Sequence, residues 1–255
     1  MKTALFALFF AVISLPAALA QRTISAKDIL AKLNRHESIT YDNYTITGDL
    51  DLTELANKKR VSDKSWADSE VYESFVETPV TFRNCTFKGD FVAYKHLEKE
   101  WYKGNGVTYN AHFNEAVTFE NCTFEQKAEF KYSDFKQRAL FTGSGFRKEA
   151  NFKYAKFRAS ADFSDVRFSA LANFKYTGFK ESIAFRNARF GEYADFKYTK
   201  FDEGVLFQQS RFDGMADFKY THLPRNSRFD DAVFDGPADF KYATLDGRKF
   251  SPTRR

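Results

Sequence analysis

Residues 194–201 read ADFKYTKF, and near-copies stand at 128–135 (AEFKYSDF), 150–157 (ANFKYAKF), 172–179 (ANFKYTGF), 216–223 (ADFKYTHL) and 238–245 (ADFKYATL), each 22 residues after the last. Between the copies the spacing persists. From Phe130 through Phe135, Phe141, Phe146 and Phe152 to Leu245, large apolar residues recur at steps of five and six in strict alternation. The register reaches back through Phe124, Phe119 and Phe113. Neither the 3.6-residue period of an amphipathic helix nor the 2-residue period of a half-buried strand produces this pattern. Four steps make 22 residues, so four short sides with one large apolar residue each make one turn of a coil. Stacked coils put each Phe about 4.8 Å from the Phe one turn later. Two residues before each Phe the side chain is small, as at Ala128, Ala150, Ala172, Ala194, Ala216 and Ala238, which fits a narrow interior. The residue between is polar (Glu129, Asn151, Asn173, Asp195, Asp217, Asp239) and is expected to face outward. The 31 Phe in 255 residues follow, because one environment is filled many times over.

Small, polar, large apolar, every five residues or so: over roughly 80–91 and 111–250 the chain resembles the pentapeptide-repeat family. The resemblance implies an all-β fold, a right-handed quadrilateral parallel β-helix. The chain departs from a strict five by one extra residue on alternate sides, which enlarges two corners. About six coils give a core roughly 30 Å long. Terminal coils of a solenoid need covering. Ser25 to Asp28 followed by Ile29, Leu30 and Leu33 predicts a short N-capped helix, and 21–55 is expected to form a helix and first strand region that closes the first coil. Nothing after Leu245 reads as a cap. That end is either shielded by the tail, whose last residues 251–255 are basic, or paired with a second copy in a homodimer through the C-terminal coil.

Residues 1–20 (MKTALFALFFAVISLPAALA) have a short positive start, an apolar stretch and an Ala18-Leu19-Ala20 cleavage pattern. They read as a secretory signal peptide, and the mature chain is expected to be secreted or periplasmic, with no transmembrane segment. Without Lys2 the 39 basic residues become 38 against 34 acidic, net +4, of which +3 lies in the last ten residues. The body is then near neutral, and no nucleic-acid-binding face is expected. Some relatives of the family mimic DNA, a role that needs an acidic cytoplasmic rod; this composition speaks against it.

Two stretches leave the register. Residues 56–79 read as a surface excursion containing Trp66. The NCTF motifs at 84–87 and 121–124 lie 37 residues apart rather than 22, so an insertion falls at about 92–110. It carries Tyr94, His96, Trp101, Tyr102 and Tyr109, a candidate aromatic binding loop or a flap packed on the rod. With the insertion removed, Cys85 and Cys122 share a column of adjacent coils, close enough for a disulfide, although parallel side chains suit a bridge poorly; two buried thiols are the other reading. The four His and two Cys show no metal-ligand spacing, and no cofactor is expected. Asn43, Asn84 and Asn121 each begin an N-x-T triplet, to which little weight attaches. No catalytic constellation stands out, and a regular rod offers no cleft, so the protein is not expected to be an enzyme.

The remaining signal is FKY itself. Lys131, Lys153, Lys175, Lys197, Lys219 and Lys241 form one column, and Tyr132, Tyr154, Tyr176, Tyr198, Tyr220 and Tyr242 the next. Stacked Tyr rings stabilise one another, and that alone explains a column. A Lys/Tyr stripe also suits a repetitive acidic partner. The leading expectation is a non-enzymatic scaffold or protein-interaction module. The alternative is a binder of an acidic envelope polymer or polysaccharide through the stripe and the aromatic loop.

Overall fold

The computed structural model describes residues 21–61, 70–98 and 106–252. Trp66, Trp101, Tyr102 and the stretch 1–20 lie outside them. The chain winds through four sheets in fixed order, parallel from coil to coil along the rod. The first has seven strands, from Ile39–Asp42 to Val205–Leu206. The second has nine, from Arg22–Ser25 to Val233–Phe234. The third has eight, from Leu50–Asp51 to Ala238–Asp239. The fourth runs from Lys59–Val61 to Arg248–Lys249 and holds eleven, counting a side strand at Tyr94–Leu97. This is the right-handed quadrilateral parallel β-helix the repeat implies.

Register decides the core. Phe124, Phe146, Phe168, Phe190, Phe212 and Phe234 are successive strand partners in the second sheet. Their rings stack at 4.6–5.2 Å. Across the axis the columns meet edge to face, as Phe163 does with Phe152 at 5.3 Å and Phe174 at 5.4 Å. Parallel stacking along the rod and T-contacts across it both suit the ring quadrupole. The Ala column before these rings is buried from Ala128 to Ala216. Small hydroxylic residues bond back into the rod: Thr177 and Thr199 donate to the carbonyls of Phe152 and Phe174, each at 2.7 Å.

The solenoid begins earlier than the Phe pattern shows. Ile39, Tyr41, Ile46, Leu50 and Leu52 form a first buried coil, with Tyr41, Ile46 and Leu52 where later coils use Phe. The third sheet therefore counts eight coils, not six, and a stack of about 34 Å at the usual strand spacing. The helix Ala26–Asn34 closes it. Ser25 Oγ accepts from the Asp28 amide at 3.1 Å, and Ile29 and Leu33 are buried against the first coil.

Several expectations need correction. Within 56–79, residues Glu70–Val76 are not an excursion: they form a seven-residue strand of the fourth sheet, paired in parallel with Val107–Phe113. Val107–Leu97 pairing shows that the ends of the 92–110 insertion form an antiparallel hairpin. Together with Lys59–Val61 these strands make a wing that prolongs the fourth sheet sideways. The register across two irregular coils was hidden because the wing strands carry Tyr, Glu and Asn in place of the Phe pattern. The C-terminus does have a cover. Arg248–Lys249 turns back on Thr244–Leu245, and Phe250 lands 5.2 Å from Phe229 and 5.7 Å from Phe240. Finally, Cys85 and Cys122 do share a column, but both are free, buried thiols and no disulfide joins them. They lie parallel, and Cys122 Sγ points to the Phe82 carbonyl at 3.4 Å.

The corners are of two kinds. The six-residue steps carry the extra residue. The five-residue steps make tight turns in which the residue after Phe by three donates to the Phe carbonyl, as Thr177 does to Phe174 at 3.0 Å and Ala188 to Phe185 at 3.1 Å. The third residue of such a turn has positive φ, the type II signature. Between the first and second sheets that place holds Asn43, Asn84, Asn121, Gly143, Asp165, Asn187, Gln209 and Asp231, with φ of 52–67°. Asn, Asp and Gly are the residues that tolerate the left-handed region best. The three N-x-T triplets thus have a backbone reason. Between the third and fourth sheets the same place holds Tyr six times, with φ of 58–63°.

Candidate functional site: the tyrosine corner

Tyr has no backbone reason to occupy that place. Each left-handed non-glycine residue costs on the order of 1 kcal/mol or more. The corner is nevertheless held firmly, because Tyr154 and Tyr176 amides donate to the Lys175 and Lys197 carbonyls of the next coil at 3.1 Å. Before each turn, the polar column does not simply face water. Asn151, Asp195 and Asp217 Oδ1 accept from the amides of Lys153, Lys197 and Lys219 at 2.9–3.1 Å, which ties the turn from inside. Asp195 and Asp217 are buried, 8% and 1% exposed. The outward placement expected for them is corrected accordingly. Burial, and then the charge of Asp217, push the Asp195 carboxyl above its ordinary value.

The rings of Tyr132, Tyr154, Tyr176, Tyr198, Tyr220 and Tyr242 form one ladder with centroid steps of 4.7–5.0 Å. Tyr94 of the wing adds a tilted seventh ring, 5.8 Å from Tyr132. In such a ladder the faces of every ring before Tyr242 are covered by its neighbours. Sugar rings cannot lie flat on it; what it presents is a row of ring edges and phenol oxygens at the coil spacing. Among the described residues none of the six hydroxyls from Tyr132 to Tyr242 has a protein hydrogen-bond partner.

The Lys column is not the free cationic file that the sequence suggests. Lys131, Lys153, Lys175 and Lys241 place Nζ 5.0–5.3 Å from the following Tyr ring. Lys131 also donates to the Tyr94 hydroxyl at 3.0 Å. Lys197 and Lys219 turn to Asp217 at 3.4 and 3.2 Å. These lysines brace the ladder from its third-sheet side. Burial and the charges of Lys175 and Lys131 lower the Lys153 pKa.

The accessible cations stand on the other side. A concavity of about 580 Å³ opens between the ladder and the fourth sheet, with Tyr132, Tyr154, Tyr176 and Tyr198 as one wall. Lys156, Arg158, Lys180 and Lys200 line the opposite side, with Gly178 between. Arg158 holds Asp134 in a two-pronged bond at 2.8 Å, and Lys180 holds Asp202 at 2.6 Å. Among the described residues Lys156 and Lys200 have no ion-pair partner. The signal that could have found them is the column just before the fourth-side Phe: Asp134, Lys156, Gly178, Lys200, His222, Thr244. It varies where its neighbours repeat.

Of the candidate loop, Tyr94 joins the ladder, whereas Tyr109 sits in a strand and stacks on Tyr72 at 5.3 Å, with Lys58 and Lys95 about it. The aromatic pair is a wing fastener. The neighbouring Cys85 thiol and burial hold the Cys122 thiol protonated, far above its ordinary range. Among the described residues no cluster of three metal-ligating side chains occurs, and no helix is long and apolar enough to cross a membrane.

Comparison with known proteins bears on the repeat alone. No curated protein and no solved structure matches the chain. The family described as pentapeptide repeats matches with nine copies, over residues 109–156, 152–200 and 196–244. Proteins of that family are in general non-enzymatic repeat scaffolds. With its stacked 22-residue coils and that match over more than half its length, the chain belongs to the pentapeptide-repeat family.

Proposed function

We propose that this protein is a non-enzymatic, secreted or periplasmic scaffold whose tyrosine corner binds an acidic polymer of the cell envelope. One observation carries the reading. At the same backbone conformation, one corner uses Asn, Asp, Gly and Gln and the diagonally opposite corner uses only Tyr. Six residues accept the strain of the left-handed region, and the ladder they make faces a groove with two unpaired lysines. Phenol oxygens at coil spacing suit the hydroxyls of an extended glycan. A polypeptide strand, with its rise of about 3.3 Å per residue, falls out of step with them. The groove cations supply the attraction for an anion.

The test is co-sedimentation of residues 21–255 with envelope fractions, beside a variant with Tyr154, Tyr176 and Tyr198 changed to Asn, the residue used at the other corner. Saturable binding by the native protein, weakened by salt and lost in the variant, is expected. Equal binding by the variant, or none by the native protein, overturns the reading. A protein partner is the second reading, favoured by the strand Tyr94–Leu97. It pairs on one edge among the described residues, and Leu97 is 52% exposed, the setting for strand addition by an extended peptide.

A further inference from the structure

The groove is not uniform along its length: its two unpaired cations skip one coil. Lys156 and Lys200 belong to coils two apart, with Gly178 in the coil between. Strand spacing puts their Cα atoms about 9.6 Å apart. Gly178 has no positive φ and no close neighbour: a Cβ built there meets nothing within 4 Å. Neither the backbone nor the packing calls for glycine. What its lack of a side chain creates is a notch, walled by Tyr176 on one side and flanked by an ammonium on either side along the rod.

We infer that the groove reads a linear glycan with a disaccharide repeat, one ring bearing a carboxylate and the next a bulky neutral substituent. This rests on the polymer-binding reading above and narrows it. Three features of the molecule converge on that chemistry. The ladder advances one Tyr ring per coil, with centroids 4.8–4.9 Å apart at Tyr154, Tyr176 and Tyr198, close to one ring of an extended glycan. The two unpaired charges stand two coils apart, so they answer carboxylates on alternate rings. The notch at Gly178 then falls opposite the intervening ring, where it offers room and no charge. In the coil of Gly178 the neighbouring cation, Lys180, is engaged by Asp202, which keeps that coil from attracting a carboxylate of its own. A polymer charged on every ring would set its extra carboxylate in that coil, beside the already occupied Lys180.

The experiment measures affinity for four soluble probes: a linear glycan with a carboxylate on every second ring and an acylamino group on the other, one with a carboxylate on every ring, a neutral linear glycan, and polyglutamate. It compares the native chain with Lys156→Gln/Lys200→Gln, Gly178→Lys, and Gly145→Lys as control. Gly145 occupies the equivalent place on the second sheet, with the same open space and no Tyr ladder beside it. The alternating glycan should bind best. The double Gln variant and Gly178→Lys should each weaken it at least tenfold, and Gly145→Lys should leave it unchanged. The Gly178→Lys result is the discriminating one: it adds a positive charge to a basic groove, so simple charge attraction predicts tighter binding to an anion. Tighter or unchanged binding in that variant, or equal affinity for the fully charged glycan or polyglutamate, overturns the inference while leaving the polymer-binding reading in place. Failure of all four probes, together with no Tyr-dependent binding to envelope fractions, overturns both.

Discussion

Changing Tyr176 to Asn separates architecture from display. The substitution removes two stacked pairs, with Tyr154 at 4.8 Å and Tyr198 at 4.9 Å. At about 0.5–1.5 kcal/mol each, these are a loss of about 1–3 kcal/mol. Losing the Lys175 contact, 5.3 Å from the ring, adds about 0.5 kcal/mol at a half-exposed site. Against this, Asn relieves a left-handed strain of about 1 kcal/mol. The net loss is then about 0.5–2.5 kcal/mol, a fall in Tm of roughly 1–10 °C for a chain of this size. Thermal and urea unfolding followed by circular dichroism measures it. The reciprocal change, Asn187→Tyr, sets a lone ring between Asp165 and Gln209 and breaks the Asn187 bond to Asp165 at 3.1 Å, so it should destabilise with nothing in return. A loss above about 4 kcal/mol for Tyr176→Asn would mean that the ladder is the keel of the fold, and the argument that Tyr is retained for display would fail. Stabilisation by Asn187→Tyr would refute the strain argument itself.

Other perturbations test the remaining parts. Phe174→Ala, at the centre of the stack and fully buried, should cost about 3–5 kcal/mol in urea unfolding, and Phe250→Ala, at the partly buried end, clearly less. Asp195→Asn keeps the turn bond that Asn151 and Asn173 already make and removes a buried charge. Because the folded Asp195 carboxyl is raised above its unfolded value, the native state is penalised as pH rises through that raised value. The variant should therefore melt higher than the native protein at pH 7, and the gap should close below the ordinary carboxylate range. Equal melting at pH 7 would remove Asp195 as a cost. Cys85 and Cys122, both buried, should resist a maleimide at neutral pH and both react once urea unfolds the chain; rapid labelling of the native protein would contradict their burial. Truncation after Asp246 uncovers Phe229 and Phe240, and sedimentation should then show stronger self-association than in the full chain.

From Phe113 onward, the sequence displays the coil, its four sides and its ring columns, because each position recurs with one residue type. Legibility ended where the residue type changed although the backbone did not. Ile39 to Leu52 build a coil without Phe, and Glu70–Val76 builds a fourth side inside a polar stretch. The corner turns carried a partial signal: Asn at 43, 84 and 121 marks left-handed turns, yet Tyr in the same conformation disguised the equivalent turn. Lys in FKY promised an accessible cation column. Where its Nζ would go depended on ring and carboxylate neighbours one coil away, which only three dimensions supply. Lys156 and Lys200 are ordinary by sequence and stand out only against the ladder.

The coil-to-coil register makes rod length a matter of copy number. Removing residues 150–171 would bring Ala172 to follow Glu149, and every column would find a partner of its own kind: Phe174 on Phe130, Tyr176 on Tyr132, Thr177 on Ser133. Unequal recombination between near-identical segments can therefore lengthen or shorten this molecule by whole turns without passing through an unfolded intermediate design. Only the unrepeated columns register such an event. Deleting that one turn would remove Lys156 and leave Gly178 beside Asp134, so a change of copy number would be felt at the few positions where one turn differs from the next.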